Sequence, residues 1–130
     1  MSIALIMLIC SAVLSMLLSI PYGIGRAQVP GGMQWAFGNR DQPLAVAPWV
    51  GRAERAHRNL IENLAPFAVL VLAAYVSGKN GWLVDLGAVL FFLGRVAHAA
   101  VYIAGITVVR TLVFFVAVIG EVLILVQLLL

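Results

Sequence analysis

The sequence predicts an all-α integral membrane four-helix bundle, and three observations lead there. Of the 130 residues, 64% are hydrophobic and only 10% are charged. The mean hydropathy is +1.11, whereas a soluble domain of this size needs far more polar surface. The apolar residues also gather into four runs, each long enough to cross the ~30 Å hydrocarbon core as a helix rising ~1.5 Å per residue. In lipid the backbone must satisfy its own polar groups, and a helix does so within one segment. The reading is one compact domain over residues 1–130.

The first span is placed at residues 2–25, because Met1 to Gly25 contains no charged residue. A cleaved signal peptide would show a basic start, a shorter apolar core and a small-residue cleavage site, and none is evident. Arg26 ends this span at an interface. The connector, residues 26–50, carries Pro30, Gly31, Gly32, Gly38, Pro43 and Pro48 and is not expected to form a long regular helix. It is either a cap over a site or an interfacial loop anchored at headgroup level by Trp35, Phe37 and Trp49. Asn39 to Asp41 reads as a turn. The second span covers residues 51–77, with Pro66 inside it, and Ser77 to Gly81 forms a tight turn. The third span covers 82–104 and the fourth 108–130. Cys10, the single cysteine, has no intrachain partner and reads as a small core or lipid-facing residue.

Charge placement sets the expected topology. Arg26, Arg40, Arg52, Arg55, Arg58 and Arg110 fall at or near the membrane side that holds the connector, whereas only Lys79 marks the other side. The positive-inside rule puts the connector in the cytoplasm and both termini outside it. The net charge of +3 sits at the ends of membrane helices rather than on a soluble face, so nucleic-acid binding is a poor explanation of it.

The densest polar run, Arg52 to Glu62, leads straight into the second span. Arg55, Arg58, Asn59 and Glu62 stand at offsets 0, 3, 4 and 7, one helical face. His57 points nearly opposite and reads as structural. On the third span Arg95, His98 and Tyr102 share a face, and on the fourth Arg110, Phe114 and Glu121 lie near one line, with Thr111 adjacent. By depth, all three faces occupy the half of the membrane next to the connector. That zone holds Arg52, Arg55, Arg58, Arg95 and Arg110 against Glu62 and Glu121. An intramembrane arginine costs ~2.5–3.5 kcal/mol on insertion scales unless paired or wet. A small multi-anionic guest is therefore expected, and the guanidinium fork suits carboxylates.

Other readings stand beside this one. Arg52 and Arg58 can snorkel to headgroups. Arg55, Arg95, Asn59 and Glu62 can form a purely structural network, and Glu121 reads as a bundle partner for an arginine. His98 is either a ligand contact or a packed histidine. No metal-ligand spacing, catalytic triad, P-loop or dinucleotide fingerprint is present. A small cation-exporting transporter is disfavoured, since the first span has no acid and the polar zone is cationic.

The run from Arg55 to Asn63 (RAHRNLIEN) with Pro66 and Phe67, followed by Gly94 to His98 (GRVAH) with Tyr102, resembles the membrane-associated proteins in eicosanoid and glutathione metabolism, the MAPEG family. The resemblance covers essentially the whole chain, and the connector looks most like that of small bacterial members. It implies a homotrimer in the bacterial inner membrane, with glutathione as co-substrate held between subunits. Arg55, Arg58, Asn59, Glu62, Arg95, His98 and Tyr102 match positions that hold glutathione. Arg110 matches the arginine that steadies its thiolate, and Thr111 stands beside it as a possible assistant. Two departures are visible. Thr111 replaces a serine of the prostaglandin-isomerising members, and Phe114 replaces a tyrosine, removing one hydroxyl. The implied activity is a glutathione-dependent transferase or peroxidase acting on a lipophilic electrophile that arrives from the membrane lipid. The alternative is a non-catalytic lipid- or partner-binding scaffold of the same fold.

Overall fold

A computed structural model describes residues 1–130. Its elements are α1 (Ile3–Ala27), α2 (Gly32–Phe37), α3 (Pro48–Val76), α4 (Trp82–Ala104) and α5 (Thr107–Leu129). The four long helices are all apolar enough to cross a membrane, with best-window mean hydropathies of 2.7, 1.6, 1.8 and 2.7. The chain is thus an all-helical, multi-pass membrane bundle.

The ends of the spans follow from local chemistry. At the start of α1, Ser2 Oγ accepts from Leu5 N at 3.3 Å, and Asp85 Oδ1 at the start of α4 accepts from Ala4 N at 3.0 Å. Two of the N–H groups that every helix start leaves unpaired are thereby satisfied, one of them across the bundle. α3 begins at Pro48 rather than at the expected Gly51, because proline at a first helical position gives up no intrahelical bond. The helix runs on through Pro66, which cannot donate to the Glu62 carbonyl. Gly78 and Gly105 take φ values of 71° and 83° at the two tight turns, where a side chain would be strained. Lys79 Nζ donates to Leu128 O at 2.8 Å and ties the α3–α4 turn to the end of α5.

The connector is shorter and more ordered than its composition suggests. α2 forms inside it, and its first residue, Gly32, lies against the Arg26 carbonyl, where any Cβ would collide. Arg40, at φ 60°, donates twice to Ala36 O, at 3.0 and 3.2 Å, and closes the end of α2. Trp35 is not a free headgroup anchor. Its ring lies between the guanidiniums of Arg26 and Arg40, at 5.1 and 5.3 Å, and its Nε1 donates to Gln42 O at 2.6 Å. Phe37 is 86% exposed and contributes nothing to the core.

Inside the bundle, Phe67 of α3 stacks on Phe91 of α4 at 3.8 Å. Around them pack Ala4, Val71, Ala74, Val84, Ala88, Ala117 and Ile124. A second cluster of Leu18, Leu60 and Ala99 lies nearer the connector. The most intimate pairing is α4 with α5, where Gly87, Gly94, Ala117 and Gly120 let the backbones approach. This is how membrane helices associate, since lipid is as apolar as leucine and only close packing is gained.

Candidate functional site

α3, α4 and α5 leave a cleft of about 350 Å³ lined by Asn59, His98, Tyr102, Arg110, Thr111, Phe114 and Phe115. That volume lies at the lower end of the ~300–1,000 Å³ usual for small-molecule sites. The α4 residues reach it because positions 98 and 102 are one turn apart on a face. Arg110 and Thr111 reach it from the first turns of α5, and Asn59 from the middle of α3.

The wall is an aromatic frame carrying polar tips. His98 is buried, with its ring edge-on to Tyr102 at 5.4 Å and tilted to Phe114 at 6.2 Å. The Arg110 guanidinium lies 4.6 Å from the centre of the Tyr102 ring, a cation–π contact that fixes its position without neutralising it. Thr111 Oγ1 makes only a long 3.4 Å contact to Thr107 O, which leaves the hydroxyl available. No carboxylate lines the cleft.

The sequence-derived site residues divide into three groups. Asn59, His98, Tyr102, Arg110 and Thr111 meet in the cleft. Arg95 stands behind its wall, 1% exposed, donating from Nη1 to Asn59 Oδ1 at 2.7 Å. Arg55, Arg58 and Glu62 lie on the exposed face of α3 and do not line the cleft. Arg52, grouped with the anion-facing arginines by its depth, is a helix cap instead. Its Nε donates to Ile103 O at 2.9 Å and satisfies a carbonyl at the end of α4. His57 is tied through Nδ1 to Tyr22 Oη at 2.9 Å, joining α3 to α1.

Two residues escaped the sequence reading. Phe115 completes the cleft wall, and nothing in its spacing marks it. Glu54 was left out of the balance of arginines against carboxylates, yet it pairs with Arg26 at 2.7 Å and with Arg58 at 3.6 Å. The second contact is an i,i+4 pair and was readable in the sequence. The first spans 28 residues and depends on α1 packing against α3. Glu54→Gln is expected to loosen the connector and speed tryptic cleavage after the exposed Arg40, with little change at other sites. Unchanged cleavage would mean that Glu54 does not hold the connector.

The fold and cleft together define a multi-pass membrane protein with a four-span helical bundle and an arginine-bearing site between its spans. A family model described as "MAPEG family" matches residues 3–130. The chain belongs to the MAPEG family. It is similar to the prostaglandin E synthase of Bos taurus, 34% identical over 77 residues, which is 59% of this chain and 45% of that protein. The prostaglandin E synthase of Canis lupus familiaris is 32% identical over 73 residues, 56% of this chain and 42% of that protein. In both cases the matched stretch spans less than half of the relative's length.

Proposed function

We propose that this protein is a membrane-bound, glutathione-dependent transferase or peroxidase acting on a lipophilic electrophile. The observation that carries the proposal is Arg110 in a cleft without carboxylates, next to the Thr111 hydroxyl and braced by Tyr102. Glutathione, when bound, would supply a thiol that gives up its proton and bonds through sulfur to the electrophile, whose leaving group departs or whose double bond takes up a proton; with a peroxide the O–O bond would break and a second glutathione would complete the disulfide. The cleft residues suit such a guest. Arg110 offers only donors, and Asn59 has its oxygen already taken by Arg95, so its amide N–H groups are what remain. These groups match a molecule rich in carboxylate and carbonyl oxygens.

Arg110 favours the ionised form of a thiol beside it, because a nearby cation stabilises the anion more than the neutral group. Thr111 can donate to the same sulfur. Phe114 and Phe115 line the cleft and would present an apolar surface to an electrophile arriving from lipid. In a homotrimer, the exposed face with Arg55, Arg58 and Glu62 would meet a neighbouring subunit and complete the binding site with two cations and a carboxylate. The arginine asymmetry supports a bacterial inner-membrane orientation with the connector in the cytoplasm.

Glutathione added to purified protein is expected to produce thiolate absorbance in the ultraviolet and to conjugate a generic aromatic electrophile. Neither signal from intact, folded protein would sink the catalytic reading. The second reading, a lipid- or partner-binding scaffold, draws on a wholly apolar groove of about 260 Å³ lined by Ile9, Cys10, Val13, Leu14, Leu17 and Phe92. Thermal stabilisation by lipid and none by glutathione would favour it.

A further inference from the structure

We infer that Arg95 and Glu121 form a buried charge pair that holds Asn59 in one orientation at the cleft. Glutathione enters only as the ligand whose binding reports this, and in that respect the inference rests on the function proposed above.

The first link is the amide. A guanidinium has donors and no acceptor, so Arg95 can bond only the oxygen of the Asn59 side chain. The Asn59 nitrogen is thereby committed to the opposite side of the amide, and Asn59 lines the cleft. The ligand group above it must be an acceptor, a carbonyl or carboxylate oxygen rather than an ammonium. The Arg95 guanidinium also lies 5.2 Å from the centre of the Phe91 ring and 5.1 Å from that of Phe114, a second cleft residue. It therefore supports the wall at two points without touching the cleft.

The second link is the counter-charge. Arg95 Nε and Nη2 are buried with no hydrogen-bond partner, and so is Glu121 Oε1. The α4–α5 seam brings these groups to one level. A Cβ on Gly94 would lie 3.1 Å from that of Ala117, and one on Gly120 would lie 2.8 Å from Phe91 N. Glu121 follows Gly120, and the guanidinium lies over Phe91. The chain's ion pairs within 4.0 Å both use Glu54, so Arg95 and Glu121 do not touch directly. One internal water accepting from Nε and Nη2 and donating to Oε1 would satisfy all three atoms. Glu62, the other carboxylate on the spans near this level, is on the exposed face of α3. Glu121 is therefore the acid that allows Arg95 to remain charged inside the bundle.

The test is a double-mutant cycle on the full chain in detergent, using Arg95→Met, Glu121→Leu and the double variant. Thermal unfolding without ligand and glutathione affinity by calorimetry are both measured. Each single variant is expected to lose several degrees, Glu121→Leu the more, because it leaves the fully buried Arg95 charge unpaired, whereas Arg95→Met leaves a half-buried carboxylate. The double variant is expected to regain most of that loss, yet to bind glutathione about tenfold more weakly, because the Asn59 amide is no longer held. Strictly additive losses in unfolding temperature would overturn the pair. A double variant that regains both stability and wild-type affinity would overturn the positioning role. Wild-type protein that binds no glutathione would overturn the ligand assignment, while the unfolding cycle would still decide the pair. If neither single variant accumulates but the double does, the pair stands. If the double fails as well, Glu121→Gln removes the charge while keeping the shape, and unchanged stability and affinity in that variant would overturn the proposal.

Discussion

Arg110→Ala is expected to lower the rate of glutathione conjugation at least about a hundredfold, the usual loss when one preorganised group that stabilises developing negative charge is removed. The expectation follows from what Arg110 does and does not touch. It lines the cleft, and its aromatic contact is with Tyr102 at 4.6 Å. It forms no ion pair within 4.0 Å. Removing it thus costs the fold little, about 0.5–1 kcal/mol for an exposed cation–π contact, and folded protein should be recovered. Its position near the start of α5 adds the positive end of that helix to the same place. Arg110→Lys keeps the charge but not the planar fork, so an intermediate rate is expected. The measurements are steady-state turnover and thiolate absorbance at saturating glutathione. Wild-type turnover in the alanine variant would remove Arg110 from the chemistry and leave the cleft as a binding site alone.

The second large effect is on stability. Gly120→Val is expected to cost at least about 3 kcal/mol, the upper range for overpacking, and to leave little folded protein. A Cβ at Gly120 would run into the Gly87 carbonyl and lie 2.8 Å from the Phe91 nitrogen. Both obstacles are backbone, so no side-chain rotation relieves them, and α4 and α5 must separate. Gly87 has the reciprocal problem against the Gly120 carbonyl, with Ile124 Cγ1 at 2.8 Å. Leu112→Ala on the same helix is the control. That side chain is exposed and should change stability by no more than about 0.5 kcal/mol. Thermal unfolding and recovery from detergent extraction read both variants. A Gly120→Val protein that unfolds at the wild-type temperature would show that the seam tolerates a wider spacing.

Much of the site was legible because helical periodicity is a local property. Arg95, His98 and Tyr102 share a face at offsets 0, 3 and 7 wherever α4 is placed. On α3 the same rule grouped Asn59 with Arg55, Arg58 and Glu62, and of these four only Asn59 lines the cleft. The partners were not legible. Arg26 meets Glu54 across 28 residues, and Arg52 meets the Ile103 carbonyl across 51. Nothing in the spacing along one helix specifies which turn of another helix lies opposite. Glu54 shows the consequence: its 2.7 Å partner is Arg26, which lies outside that zone, and only its 3.6 Å contact with Arg58 reaches into it.

Sequence alone determined that the chain is a bundle of four membrane spans and which polar residues share a helix. Lipid accepts only segments that bond their own backbone, and a helix has a fixed rise and turn per residue. Only the tertiary structure decided that Arg110 faces the cleft, Arg95 stands behind it and Arg52 caps a neighbouring helix. Those outcomes depend on how each helix is rotated about its axis. For α4 and α5 that rotation is constrained by the close approach of Gly87, Gly94 and Gly120 to the opposing backbone, and for α3 by contacts such as that of Arg52 with the Ile103 carbonyl, all between different helices.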